Sequence, residues 1–421
     1  MHCRRPSRSI EVGVCHAGYA LFLRLPLLCP MSTALAPIDT LSTPALLVDV
    51  DRLDANIEAM QARANAQTVA LRPHAKTHKC PAIAKRQYEA GAVGLTVATL
   101  DEAEQFAEAG YTDLTVAYPL VGADVHARVR ALRSHATVRF CVDTEAGIQQ
   151  ASAAYAPDNP AEVLLEIDTG HGRCGVRYDS DDIAARAQQI IASDSLRLVG
   201  VLTHAGHSYS GPRNGETKEE ALRRVAQEER DRILQAAARI YEDATPAVAK
   251  RDFTVSIGST PSIRYFKNTI YEGLQITEIR PGNYVFHDAM QHTLGVCSLD
   301  ACALTVYTQA VSRHRAPNGT ERVFVDAGKK ILTTDTGTQT TGYGIPLYNA
   351  AFMRRHPHAE ITGLSEEHGW MAVPGGATFG VGDRLRIVPN HACVTVATQS
   401  VLHAVHRDEI VETWPVLRRR G

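Results

Sequence analysis

Lys76 sits in the run RPHAKTHK, with Arg72, His74, His78 and Lys79 as neighbours. Crowded cations lower a lysine's pKa and favour the neutral amine that a Schiff base requires. A lysine-rich run is more commonly a solvated loop, so the signal needs support from elsewhere in the chain. Two glycine-bearing segments supply it, GSTPS from Gly258 and RPGNY from Arg280. Glycine lets the backbone approach an anion, and Ser and Thr hydroxyls donate to it. Either segment alone reads as an ordinary turn, but the two together point to a phosphate-bearing ligand. A phosphate and a Schiff-base lysine in one site describe pyridoxal 5'-phosphate.

A second group of residues suits a metal. Asn390-His391-Ala392-Cys393 follows the strand-like run Arg384–Val388 and a proline. On an extended chain residues i and i+2 share a face, so His391 and Cys393 can grip one ion. Imidazole and thiolate suit zinc, with the remaining positions open to water or substrate. Taken alone, such a pair is more often a buried His and a buried Cys. Glu366, Glu367 and His368 lie upstream as possible support, although no spacing makes one of them a third ligand.

Stepping along the chain shows what must position these groups. Eight short apolar, largely β-branched runs alternate with helical stretches: Thr68–Leu71, Gly94–Ala98, Asp113–Ala117, Thr137–Val142, Val163–Ile167, Leu198–Thr203, Phe253–Ile257 and Gln275–Ile279. The helical stretches are Cys80–Ala90 and Leu100–Ala109, each stopped by a glycine, then Thr144–Tyr155, Asp179–Ala192 and Thr217–Asp243. This alternation predicts an α/β fold, a (β/α)8 TIM-like barrel over 68–290, with a doubly wound open sheet as the alternative. Barrel active sites lie at the C-terminal strand ends, and the loops after the seventh and eighth strands commonly hold phosphate. Lys76, GSTPS and RPGNY fall at such ends. So do Tyr118, Asp168, Thr169, His171, Arg173, His204, His207 and Tyr209, while Arg139 lies on the fourth strand.

Beyond residue 290 the texture changes. Ala303–Val311, Arg322–Val325, Arg384–Val388 and Val394–Thr398 read as strands among Gly, Pro, Thr and His, so 291–421 is expected to be a mostly β domain carrying the metal pair. Residues 31–67 lead into the barrel, and the run Ala45–Asp49 fits either part. Residues 1–30 carry Arg4, Arg5 and Arg8 and an apolar stretch broken by Arg24, and read as a disordered extension or an over-extended start. A chain beginning at Met31 is expected to fold and react normally.

Composition excludes several classes. The chain has 421 residues, 44% hydrophobic and 21% charged, with a net charge of -2. Long disorder and a nucleic-acid-binding basic surface do not fit those values. No stretch approaches the ~20 apolar residues of a membrane span. The nine cysteines are scattered and form no CxxC pair, which reads as reduced thiols in a cytoplasmic protein.

In order, RPHAKTHK, ATLDEAEQFAEAG, IDTGHGRCGV, LTHAGHSY, SIGSTPS, EIRPGNYVF and RIVPNHACVTV resemble the D-threonine aldolase and D-serine dehydratase family, within the alanine-racemase-like (fold-type III) pyridoxal phosphate enzymes. The resemblance runs from about residue 40 to the C-terminus. It implies a barrel followed by a β domain, and a homodimer with its active site near the interface. It implies that Lys76 holds the cofactor and acts on the substrate, and that Gly258, Ser259, Thr260, Gly282 and Asn283 contact the phosphate. Arg139, His204 and Tyr209 would contact the ring and its oxygen. It also implies a divalent metal on His391 and Cys393; dehydratase-like members carry Cys at the second position and aldolase-like members carry Asp.

The expected reaction is therefore a pyridoxal phosphate- and zinc-dependent β-elimination. D-serine, D-threonine or 3-hydroxy-D-aspartate would give an α-keto acid and ammonia. Lys76 would take the Cα proton and the metal would draw off the β-hydroxyl. The alternative is a metal-dependent D-threonine-type aldolase giving glycine and an aldehyde. A non-catalytic pyridoxal phosphate carrier is disfavoured, since a carrier has no evident need of a metal pair.

Overall fold

In the computed structural model, residues 36–244, 246–317, 319–373 and 379–417 are described. Expectations for residues 1–30 lie outside them. Eight parallel strands form a ring at the positions the sequence marks: Ala70–Leu71, Leu95–Val97, Asp113–Pro119, Thr137–Val142, Ala161–Asp168, Leu196–Leu202, Thr254–Ile257 and Glu278–Ile279. Hydrogen bonding runs from the first strand to the eighth and back down to the second. A parallel bridge between His74 and Thr96 joins the first strand to the second and closes the barrel. The strands are buried on both faces, as parallel strands covered by helices must be; Val163 to Ile167 are buried without a break.

Local signals fix the helices that cover the ring. Pro81–Ala90 ends at Gly91, whose φ of 118° lies in the left-handed region that favours glycine. Thr99 caps Leu100–Glu108 and Thr144 caps Glu145–Ala154, each accepting a hydrogen bond from an amide three residues on. Lys218–Asp243 begins with a capping box between Thr217 and Glu220. Asp182–Ile191 follows the expected span. Two helices, Val50–Ala66 and Ala123–Leu132, had no clear sequence signal. The first buries Leu53, Ile57 and Ala64, and Asn56 Nδ2 donates to Val285 O (3.1 Å) and Ala301 O (2.8 Å), so it packs where the chain leaves the eighth strand.

The second sheet is mostly antiparallel, and its centre is Leu304–Arg315. Ala45–Asp49 is wholly buried there, antiparallel to Leu304–Tyr307 and parallel to His403–Val405. The described chain thus runs from the β layer into the barrel and returns. One expectation is overturned: Val394–Thr398 is not a strand. Ala392–Ala397 is a short helix, closed by Thr395 N donating to His391 O at 3.1 Å. Its β-branched residues suggested a strand, but Ala392 and Val396 pack into the core, and that burial overrides local propensity. Among the described residues no helix is long and apolar enough to cross a membrane.

Candidate active site

A cavity of about 640 Å³ opens at the C-terminal ends of the barrel strands, and the β layer closes one side with residues 336–339 and with His391 and Cys393. That volume suits a cofactor and a small substrate. From Leu35 onward the described chain forms one compact unit, so the cavity lies within a single body.

Lys76 lines the cavity from the short turn Ala75–Thr77, which His74 caps. The cations expected to crowd it mostly point elsewhere. Arg72 turns into the barrel onto Glu278 (2.6 Å) and Asp113 (2.7 Å), Lys79 pairs with Glu102, and His78 bonds the backbone of Cys80. Burial is what lowers the pKa of Lys76; Cys393 opposes it, and Arg173 and Arg280 add to it. The direction of the shift is the one the sequence suggests, but burial and a different set of neighbours cause it.

The two glycine segments converge on the same wall. Among the described residues, no backbone carbonyl accepts from the amides of Ser259, Thr260, Gly282 or Asn283, which leaves four donors beside the cavity. Gly258 differs: its amide donates to Glu229 (3.1 Å) and its carbonyl meets His204 Nδ1, so it offers close approach and no free donor. A Cβ on Gly282 would lie 2.7 Å from Thr77 Oγ1 and 2.9 Å from His74 O, so only glycine lets this loop press against the turn that carries Lys76. The remaining Asn283 oxygen is buried without a partner, an open acceptor beside the cradle.

His204 and Tyr209 line the cavity as expected. Burial keeps His204 neutral, reinforced by Lys76 and Arg173. Burial also raises the Tyr209 pKa, and its hydroxyl accepts from Gln291 Nε2 at 3.2 Å. Arg139 is a correction. It pairs with Asp113 (2.6 Å) and Glu162 (3.0 Å) and does not line the cavity. It is the third residue of its strand, three positions short of the C-terminal end, and at ~3.3 Å per residue that is ~10 Å too low. Arg173 and Arg280 supply the guanidinium groups at the cavity instead. Arg280 is fixed there by Ser256, to which it donates at 2.7 Å.

His391 and Cys393 meet at a strand-to-helix corner, with His391 extended and Cys393 in the first turn. The shared-face argument from an extended chain therefore fails, yet the pair still forms. Burial opposes charge on both groups, but each stabilises the other; Asp288 and Asp335 help lift the His391 pKa to about 10, and Lys76 helps lower that of Cys393. Cys393 Sγ also lies 3.2 Å from Thr77 Oγ1, one residue from Lys76. Among the described residues no group of three His, Cys, Asp or Glu is placed to hold a metal ion, so no third such side chain joins the pair. Glu366 and Glu367 give no support, since they pair with Lys329 and Lys330.

Three residues escaped the sequence reading. Buried Asp288 accepts from Asn283 Nδ2 (2.5 Å), Ala392 N (2.9 Å) and Gln291 N (2.9 Å), tying the loop of Asn283 to the corner of His391 and Cys393. Asp335 bonds His391. Asp335 has no local sequence signal, because His391 lies 56 residues on; Asp288 also caps the helix Ala289–Thr293, but its bond to Ala392 spans 104 residues. Glu166 did have one, as the only charged residue in the apolar run Val163–Ile167. It is the only carboxylate among the residues lining the cavity and is 3% exposed.

Burial raises the Glu166 pKa from an ordinary 4.5 to about 7, against the pull of Arg173. The folded protein keeps this proton after the unfolded chain has released it. The stability it contributes is full below pH 4.5 and is lost as pH rises to about 7, in all roughly 3 kcal/mol. Glu166→Gln should remove that loss. In cofactor-free protein, the melting temperature of the wild type should fall between pH 5 and pH 8 relative to the variant; parallel profiles would refute the assignment.

Both parts of the chain are similar to known proteins. Residues 48–289 match the model of the alanine racemase N-terminal domain, and residues 303–405 match a putative serine dehydratase domain. The chain is 37% identical to D-threo-3-hydroxyaspartate dehydratase of Delftia sp. (strain HT23), over 89% of this chain and 97% of that one. It is 31% identical to D-threonine aldolase of an Arthrobacter species, over 91% and 94% of the two chains. The solved structure of the Delftia dehydratase superimposes with a TM-score of 0.81, covering 91% of this chain and 100% of that one. Variants of that enzyme replace a histidine and, two positions on, a cysteine, and the cysteine variant is described as metal-free.

Proposed function

The chain belongs to the D-threonine aldolase and D-serine dehydratase family of alanine-racemase-like enzymes, and on that premise we propose that it is a lyase that eliminates water from D-β-hydroxy amino acids, after which water hydrolyses the resulting imine to a 2-oxo acid and ammonia. Lys76 and the cradle of Ser259, Thr260, Gly282 and Asn283 hold pyridoxal 5'-phosphate. His391 and Cys393 hold a divalent metal, zinc by the softness of the thiolate. The observation that carries this reading is the meeting of Lys76 with the His391–Cys393 pair in one cavity, although they come from opposite ends of the fold. The residues fit both groups: four free amides suit a phosphate, and an imidazole beside a low-pKa thiol suits a transition metal.

When bound, the cofactor supplies an electron sink for charge at Cα and the metal a Lewis acid at the β-oxygen. The chain's own residues do the rest. Lys76, with its ammonium disfavoured by burial, takes the Cα proton. Buried neutral His204 and His74 leave the lysine as the basic amine of the site. Asp288 holds Asn283 and Ala392 in one register, so the cradle and the metal corner keep a constant separation. Cysteine at the second metal position favours the dehydratase over the aldolase, and the Delftia dehydratase has a cysteine two positions after a histidine. The enzyme is read as a cytoplasmic homodimer.

Ammonia release tests the proposal. Purified enzyme given D-serine, D-threonine or D-threo-3-hydroxyaspartate should form ammonia and a 2-oxo acid from at least one of them, and nothing from the L-enantiomers. Absence of ammonia from all three would end the dehydratase reading.

A further inference from the structure

We propose that Asp335 is the positioning residue of the metal pair. Its carboxylate accepts the Nδ1–H of His391 at 2.7 Å, which commits that nitrogen and leaves Nε2 as the ligand. The inference rests on the reading that His391 and Cys393 bind metal. Three features beyond the single contact carry it. Among the described residues His391 is the only cationic partner of Asp335. Its backbone is locked to the pair, because Asn390, the residue before His391, donates from Nδ2 to Asp335 O (3.0 Å) and Gly342 O (2.9 Å). The same loop then runs along the cavity, where Thr338 Oγ1 donates to Tyr209 O at 3.2 Å. Asp335 is thus pinned through its backbone beside His391, and it does not itself line the cavity. A carboxylate so placed fixes the ring's orientation and tautomer and raises the basicity of the ligating nitrogen.

The test is metal affinity in the cofactor-loaded enzyme, stripped of metal by chelation and titrated with cobalt(II) against a chromophoric chelator. Asp335→Ala should bind cobalt ~10–100-fold more weakly than wild type. Asp335→Asn keeps an acceptor oxygen and should recover most of that loss. Asp335→Ser, too short to reach the ring, should match the alanine variant and serves in its place should alanine prevent folding. All should keep the wild-type cofactor absorption while metal-free, since Asp335 touches no part of the cradle. Affinity of the truncated variants within about threefold of wild type, or no recovery in Asp335→Asn, would overturn the proposal. Should wild-type protein bind no cobalt, or Cys393→Ala bind it equally well, the metal reading itself fails and this inference with it.

Discussion

Lys76→Ala is expected to lower turnover by at least about ten-thousand-fold, because it removes both the covalent anchor and the base. No second amine is available to take over, as Lys76 is the only lysine lining the cavity and Lys79 is tied to Glu102. The variant should still bind pyridoxal 5'-phosphate reversibly, since the amides of Ser259, Thr260, Gly282 and Asn283 do not depend on the lysine side chain. Borohydride treatment of the wild type should attach the cofactor to the peptide containing Lys76, and the alanine variant should take up no label. A label on another lysine, or measurable turnover by the variant, would remove the basis of the site.

The second large effect is expected at the metal pair. Cys393→Ala should slow ammonia release by about a thousand-fold, the several kcal/mol a Lewis acid contributes at a leaving oxygen. Exhaustive chelation of the wild type should do the same. Cofactor absorption should persist in both cases, because the lysine and the phosphate cradle hold the cofactor. Zinc should restore the chelated enzyme better than magnesium, which prefers oxygen ligands and an octahedral shell. Full activity after chelation, or equal rescue by magnesium, would make the pair structural.

Much of this molecule was legible before its structure. All eight barrel strands stand where β-branched runs alternate with helices, because buried parallel strands leave a near-continuous apolar record. Lys76, His204, Tyr209 and both glycine segments line the cavity because strand ends are where such a barrel gathers polar groups. What went unread is what depends on register and distance. Arg139 pairs with Asp113 and Glu162, three positions short of its strand's C-terminal end, and stays out of the cavity. His391 and Cys393 were found by an extended-chain argument, although a helix turn is what brings them together. Val50–Ala66 and the strand before it were hard to place because their partners lie more than 200 residues away. The bonds of Asp288 to Ala392 and of Asp335 to His391, 104 and 56 residues apart, are likewise not local.

The fate of D-threo-3-hydroxyaspartate tests the central claim most directly. Loss of the β-hydroxyl leaves the carbon skeleton whole and yields oxaloacetate and ammonia. Cleavage of the Cα–Cβ bond yields glycine and glyoxylate. With the metal-loaded enzyme, cysteine at the second position of the His391–Cys393 pair predicts oxaloacetate and ammonia in equal amounts, with both lost on chelation. Glycine and glyoxylate as the main products would contradict it and identify the chain as an aldolase on the same scaffold.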